Sequence, residues 1–303
     1  MALRIGIDVG GTNLRVGVFD GLKLLHQQRF QADFSALCKQ QPNQALERII
    51  DLLAEQISSV LQQYPQVESV GIGFPGFIDP VTQAIIQSPN LPGLHHAHIA
   101  KPVASTIKRP VHIENDALCA ALAEYHLAQL APPQSLMYIG LGTGIGGGLI
   151  YRGQPFPGDH GVAMEFGHLI VVPDGRLCGC GNHGCVEQYA SAGGVVQNYA
   201  QASGQHLSAQ QISQKAQQGD VAAQQAFAEA GRYLAIAMAH AAKIVDIQHW
   251  VLGGGVMQAQ DWILPALRQQ LERDLIPVLR GALDIRVSQS DDIAGMLGAA
   301  LLA

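Results

Sequence analysis

The chain has 303 residues, of which 48% are hydrophobic and only 14% are Asp, Glu, Lys or Arg, against roughly 25% charged residues in a typical soluble domain. The apolar share excludes a wholly disordered chain, and the length predicts two domains. A net charge of 18 − 24 = −6 with no basic block argues against nucleic acid or an anionic membrane as main partner. No run approaches the ~20 apolar residues of a membrane span.

Taken in chain order, residues 4–9 and 15–20 read as short strands joined by Gly10-Gly11-Thr12-Asn13, a hairpin signature. Leu46, Ile49, Ile50, Leu53, Ile57 and Leu61 then recur at helical spacing, predicting a helix over 43–62. A strand is expected at 69–74, running into Pro75-Gly76, and the Pro- and His-rich segment 88–102 reads as loop. Residues 111–113 read as strand and 117–130 as an Ala-rich helix. The strand–glycine turn–strand unit recurs at 136–152, about 130 residues after the first, which suggests two related half-folds. Residues 159–191 are turn-rich, helices are predicted over 209–247, and Trp250–Leu252 runs into Gly253-Gly254-Gly255. A small-residue helix, 293–302, closes the chain, with a domain boundary expected near 117 and the last helix returning to the first half.

The first turn places Asp8, Gly10, Gly11, Thr12 and Asn13 together. Adjacent glycines allow backbone N–H groups to approach phosphate oxygens, and Asp8 offers a carboxylate to Mg²⁺ or its water. An ordinary hairpin turn is the plain alternative. Gly142, Thr143 and Gly144 repeat the pattern, and two facing turns of this kind would clamp a nucleotide's phosphates. Gly142/144/147 and Gly71/73/76 match G-x-G-x-x-G, but neither opens a helix after a strand, so a dinucleotide fold is not indicated. Asp116, beside Asn115 at a strand end, suits a base that accepts an alcohol's proton during phosphoryl transfer, or equally a helix N-cap. Cys178, Cys180 and Cys185 with one imidazole make a closed tetrahedral zinc set that shapes a loop and does no chemistry. His168 is the expected fourth ligand and His183 its competitor. With no signal-peptide core at the N-terminus, an odd count of five cysteines also favours metal over disulfides, and the cytoplasm is the expected compartment. Glu165 and Glu187 flank the cluster and could hydrogen-bond a polyol, or simply be solvated glutamates. His95, His96 and His98 read as surface loop, and Cys38 and Cys119 as small core residues.

In order, the motifs DVGGTNLR, GFPG, SPN, END, GTGIGGG, E-x-G-H, C-x-C-G-x-x-G-C-x-E and GGG closely resemble the ROK family of bacterial sugar kinases and sugar-responsive repressors, across essentially the whole chain. The resemblance implies an α/β, two-domain actin/hexokinase-like (RNase H-like) fold, each domain built on a five-stranded sheet, with an interdomain cleft. The domains would be 1–116 plus 291–303, and 117–290 with the zinc loop. It implies that Asp8, Gly10, Gly11, Thr12, Asn13, Gly142, Thr143 and Gly144 hold ATP phosphates and Mg²⁺, with Gly253 and Gly254 near the adenosine. Gly76, Asn90, Asn115, Asp116, Glu165, His168 and Glu187 would line the sugar site, with Asp116 the catalytic base. His168, Cys178, Cys180 and Cys185 would bind structural Zn²⁺. The expected reaction is transfer of the ATP γ-phosphate to the 6-hydroxyl of a hexose, of glucose or allose type. An N-acetylglucosamine or N-acetylmannosamine kinase is the alternative, and a non-catalytic sugar sensor the alternative of another class. A homodimer is expected from the resemblance alone. Met164 stands where these kinases commonly have glycine, which changes the expected shape beside Glu165. A helix-turn-helix domain like that of the family's repressors is not expected ahead of Asp8.

Overall fold

The computed structural model describes residues 2–290 and 292–303. Met1 and Asp291, which fall within the expected segments 1–116 and 291–303, lie outside the described residues. The chain opens with β1 (Leu3–Val9), β2 (Asn13–Asp20) and β3 (Lys23–Gln31), then α1 (Phe34–Gln40) and α2 (Pro42–Gln63). There follow β4 (Val67–Phe74), β5 (Phe77–Ile78), β6 (Ile85–Gln87), β7 (His95–Ala97), α3 (Ala100–Ile107), β8 (Val111–Asn115) and α4 (Asp116–Leu127). The second half has β9 (Leu136–Leu141), β10 (Ile145–Tyr151), β11 (Gln154–Pro155), α5 (Glu187–Ala190), α6 (Ala192–Ser203), α7 (Ala209–Gln217) and α8 (Val221–Val245). It ends with β12 (His249–Gly253), α9 (Gln260–Asp274), β13 (Asp284–Val287) and α10 (Ala294–Leu302).

Two five-stranded sheets run in the orders β3-β2-β1-β4-β8 and β11-β10-β9-β12-β13. The orders are the same when each sheet's strands are numbered from its own first strand. In both, a hairpin supplies the antiparallel edge, and two crossovers add parallel strands (β1 with β4 and β4 with β8; β9 with β12 and β12 with β13). The internal repeat seen in the sequence is therefore a repeat of topology. The segment expected to be loop, 88–102, contains β7 and the start of α3. Its short pairing Gln87↔His95 and the apolar Ile99, Val103 and Ile107 were too brief or too proline-broken to show as periodicity.

Two compact units divide the chain: residues 1–134, 148–163 and 290–303 form one, and residues 135–147 with 164–289 the other. This departs from a boundary at 117, because α4 packs in the first unit rather than beginning the second. The first unit explains why. On β1 and β4, Ile5, Ile7, Val70 and Ile72 alternate with glycines and join the core of Leu53, Ile57 and Val103 on one face. On the other face, a Cβ at Gly6 or Gly71 would collide with the backbone carbonyl of Met296 or Ala299 in α10, and one at Gly298 with the carbonyl of Cys119 in α4. The bare glycines let α10 lie on the sheet and against α4 at backbone distance, so α4 is held where α10 returns.

Among the described residues, no helix is long and apolar enough to cross a membrane.

Candidate active site

In the first unit, the functional segments all leave the carboxyl ends of neighbouring parallel strands, where open α/β sheets place their ligands. The Gly10–Asn13 turn follows β1, Pro75-Gly76 follows β4, and Asp116 follows β8. Register puts Asp8 opposite Gly73, and Gly73 opposite Glu114. Since paired residues share a face, Asp8 and Glu114 flank a bare glycine on the α4 side of the sheet. A Cβ on Gly73 would stand 3.4 Å from the Cys119 sulfur and 3.6 Å from the Asp116 Cα. Burial, then the negative charges of Glu114, Asp116 and Asp8, push the Cys119 thiol well above its usual range, which leaves it an inert packing group. Glu114 is buried. Desolvation raises its carboxyl, partly offset by the Asn115 N–H that donates to it at 2.8 Å. The sequence reading missed Glu114, although alternate glycines in β4 were the signal that something approaches that face closely.

Asp116 does not cap α4. The cap is Asn115, whose Oδ1 accepts the Leu118 N–H at 3.0 Å while its Nδ2 donates to the Gly76 carbonyl at 3.1 Å. Asp116 occupies the first helical position, its Oδ1 accepting the Ala117 N–H at 2.9 Å. Gly76 has φ +142°, and a Cβ there would lie 2.7 Å from the Gln87 carbonyl. The Ser88 hydroxyl donates to the Pro75 carbonyl, so the turn that exposes Asn90 is fastened to Gly76.

The first glycine turn is closed by the Gly10 N–H donating to the Asn13 carbonyl at 2.8 Å. Asn13 donates to the Thr12 hydroxyl at 2.9 Å and accepts from Arg29. Asp8 receives the Arg15 guanidinium across the β1–β2 pair, and the same Arg15 donates to the Asp292 carbonyl.

In the second unit, Gly142–Gly144 follows β9, while Gly253 ends the parallel strand β12 and Gly254 follows it. Gly254 has φ +88°, and a Cβ on it would strike the Leu141 carbonyl, so these two glycine segments lie together. Glu187, at the start of α5, accepts the Ile145 N–H at 2.9 Å, and its Oε2 stands 2.5 Å from where a Gly144 Cβ would be. The carboxylate placed by the sequence beside a polyol is thus also a brace for the second glycine turn. One accepted bond does not exhaust a carboxylate's two oxygens.

The ligand atoms of His168, Cys178, Cys180 and Cys185 all lie within 4.8 Å of one another. The Cys180–Cys185 sulfurs are 3.6 Å apart, as are the Cys178 sulfur and His168 Nδ1. A tetrahedral zinc with bonds of about 2.3 Å to sulfur requires sulfurs spaced about 3.8 Å, so the set fits with little movement. Burial and the neighbouring thiols push Cys185 up to about 12. A divalent cation would offset that cost by holding the group as thiolate. His183 is exposed and stands outside the set, pairing instead with Leu177 in an isolated bridge.

His168 turns its Nε2 toward Glu165 at 3.6 Å. One nitrogen thus faces the metal donors and the other the carboxylate, a pairing that fixes the tautomer. Desolvation raises the Glu165 carboxyl, with His168 opposing and Glu187 reinforcing the rise.

A duplicated α/β core, with acidic residues and glycine turns at its strand ends and a His/Cys3 loop, defines a phosphotransferase-type fold. The chain belongs to the ROK family, which it matches over residues 4–303. It is 30% identical to the glucokinase of Streptomyces coelicolor, covering 100% of this chain and 98% of that one. It is 33% identical to the N-acetyl-D-glucosamine kinase of Escherichia coli, with 98% of each covered. The crystal structure of a ROK family glucokinase from Streptomyces griseus, in complex with glucose and AMPPNP, superposes with a TM-score of 0.83 at 33% identity, covering 100% and 99% of the two chains. The protein is a sugar kinase of this family.

Proposed function

We propose that the protein transfers the γ-phosphate of ATP to the 6-hydroxyl of a glucose-type hexose, with Asp116 as the base. The observation that carries this reading is the strand-end arrangement of the first unit. Asp8 near the end of β1 with the glycine turn after it, Gly76 after β4 and Asp116 after β8 mark the ends of three adjacent parallel strands, and Asn115 takes the capping duty that would otherwise claim Asp116. A carboxylate so placed accepts the proton as the 6-oxygen bonds to the γ-phosphorus. The bond from that phosphorus to the β–γ bridging oxygen breaks, and ADP leaves with the electron pair.

Gly10, Gly11, Thr12, Asn13, Gly142, Thr143 and Gly144 would hold the phosphates, and Gly253 and Gly254 the nucleoside end. Asp8 would hold Mg²⁺ or its water through its carboxylate. When bound, Mg²⁺ supplies charge neutralisation on the phosphates. Gly76, Asn90, Asn115, Glu165, His168 and Glu187 would hold the sugar by hydrogen bonds, with His168 also anchoring the zinc loop. The resemblance to two glucokinases supports glucose. The 33% identity to an N-acetylglucosamine kinase supports the second reading.

The test is an ADP-release panel over glucose, allose, mannose, fructose, N-acetylglucosamine and N-acetylmannosamine. Glucose or allose should give the highest kcat/KM. Highest kcat/KM on an N-acetylated sugar would replace the reading with its alternative, and no turnover on any hexose would end it.

A further inference from the structure

The strand-end row continues past Asp8 to the edge of its sheet. Asp8 pairs with Arg15 in β2 and Arg15 pairs with Arg29 in β3, so two guanidiniums stand on neighbouring strands, on the face that carries Asp8 and Asn13. Like charges directly opposite one another destabilise a sheet. Arg15 is offset by the Asp8 carboxylate and the Asp292 carbonyl. Arg29 is exposed and has no such offset. Among the described residues its side chain bonds only to the neutral Asn13, whose Oδ1 accepts the Nε–H at 3.1 Å.

That bond holds the guanidinium at the first glycine turn, where the acceptors are already taken. The Gly11 carbonyl receives the Ser35 N–H and the Thr12 carbonyl the Ala32 N–H, both at 3.2 Å, and the Asn13 carbonyl receives the Gly10 N–H. The Thr12 hydroxyl oxygen accepts from Asn13 Nδ2, since a guanidinium can only donate and so turns the Asn13 oxygen to itself. What remains is donors: the hydroxyl hydrogen of Thr12 and both Nη groups of Arg29, without partners among the described residues. A turn with spent acceptors and surplus donors, one of them cationic, suits an oxyanion.

We infer that Arg29 is a further binding residue for the phosphoryl donor: with Nε fixed by Asn13, its Nη groups contact phosphate oxygens of ATP beside Thr12. The inference rests on the reading above that this turn holds ATP, and adds to it a cationic contact from β3.

Two substitutions divide the side chain. In Arg29→Gln an amide nitrogen can take the place of Nε and keep the bond to Asn13, while the charged fork is lost. In Arg29→Lys the charge stays and that bond is lost. Wild type and both variants are compared for kcat, KM for ATP and for the hexose, Kd of AMPPNP with Mg²⁺ by calorimetry, and Tm. Arg29→Gln should raise the KM and Kd for nucleotide roughly 5- to 10-fold, between the worth of an exposed ion pair and that of a hydrogen bond to a charged group. Hexose KM and Tm should stay as in wild type, Arg29→Lys should lose nucleotide affinity by a smaller factor, and added salt should shrink the difference between Arg29→Gln and wild type. Nucleotide affinity in Arg29→Gln within about twofold of wild type overturns the inference and leaves the kinase reading standing. A loss in Arg29→Lys as large as that in Arg29→Gln also overturns it, because Arg29 is then a brace for Asn13 and not a contact. A wild type that neither turns over any hexose nor binds AMPPNP overturns both.

Discussion

Asp116→Asn is the substitution that separates chemistry from architecture at this site. Asparagine is nearly isosteric and keeps an oxygen for the Ala117 N–H, but it cannot take a proton. A positioned general base contributes about 10²–10⁴ in rate, equivalent to about 2.7–5.5 kcal/mol of barrier, so kcat should fall by at least about 100-fold. Stability should barely move. Asp116 loses a favourable charge at the start of α4, worth about 0.3–1 kcal/mol. It also relieves repulsion among the carboxylates that surround Cys119, so the two effects oppose. Asn115→Ala makes the contrast. It deletes the cap on Leu118 and the bond to the Gly76 carbonyl, each about 1 kcal/mol. At about 2–4 °C per kcal/mol for a chain of this size, its Tm should drop roughly 4–8 °C. A coupled ADP assay and thermal unfolding on both variants decide the matter. Asp116→Asn with more than about a tenth of wild-type kcat would refute the base. Asp116→Asn melting as low as Asn115→Ala would refute the division of labour between the two residues.

Cys180→Ser should lose zinc and stability together. A metal crosslink closing a loop of ~15 residues constrains the unfolded chain by about 3 kcal/mol, so Tm should fall roughly 6–12 °C, and a chelator should bring wild type to the same value. Unchanged zinc by elemental analysis would show that the donors are not ligands. Glu114→Gln should be more stable than wild type at pH 8, with the advantage shrinking toward pH 4. The folded carboxyl is raised by burial, so the folded state favours the protonated form and wild type is progressively penalised as pH rises through the folded value. An advantage that stays constant over that range would show that ionisation of Glu114 is not the cause.

Local pattern determined much of this protein. The two strand–glycine turn–strand units, the helical spacing from Leu46 to Leu61 and the clustered cysteines are short-range regularities. They require only neighbours in the chain to be read. The length and low charge likewise set the scale of the core. What the sequence left open were choices of role and of partner: Asp116 as base or helix cap, His168 or His183 as donor, Glu187 as polyol partner or solvated group. Tertiary structure bears on each of them, because each depends on which distant backbone arrives alongside. The Gly76 carbonyl claims the Asn115 amide, the fold of the cysteine loop brings Cys178 to His168, and the second glycine turn offers its Ile145 N–H to Glu187. The row Asp8–Gly73–Glu114 is of the same kind. Strand register places residues from three separated segments on one face, and no periodicity within any one of them records it.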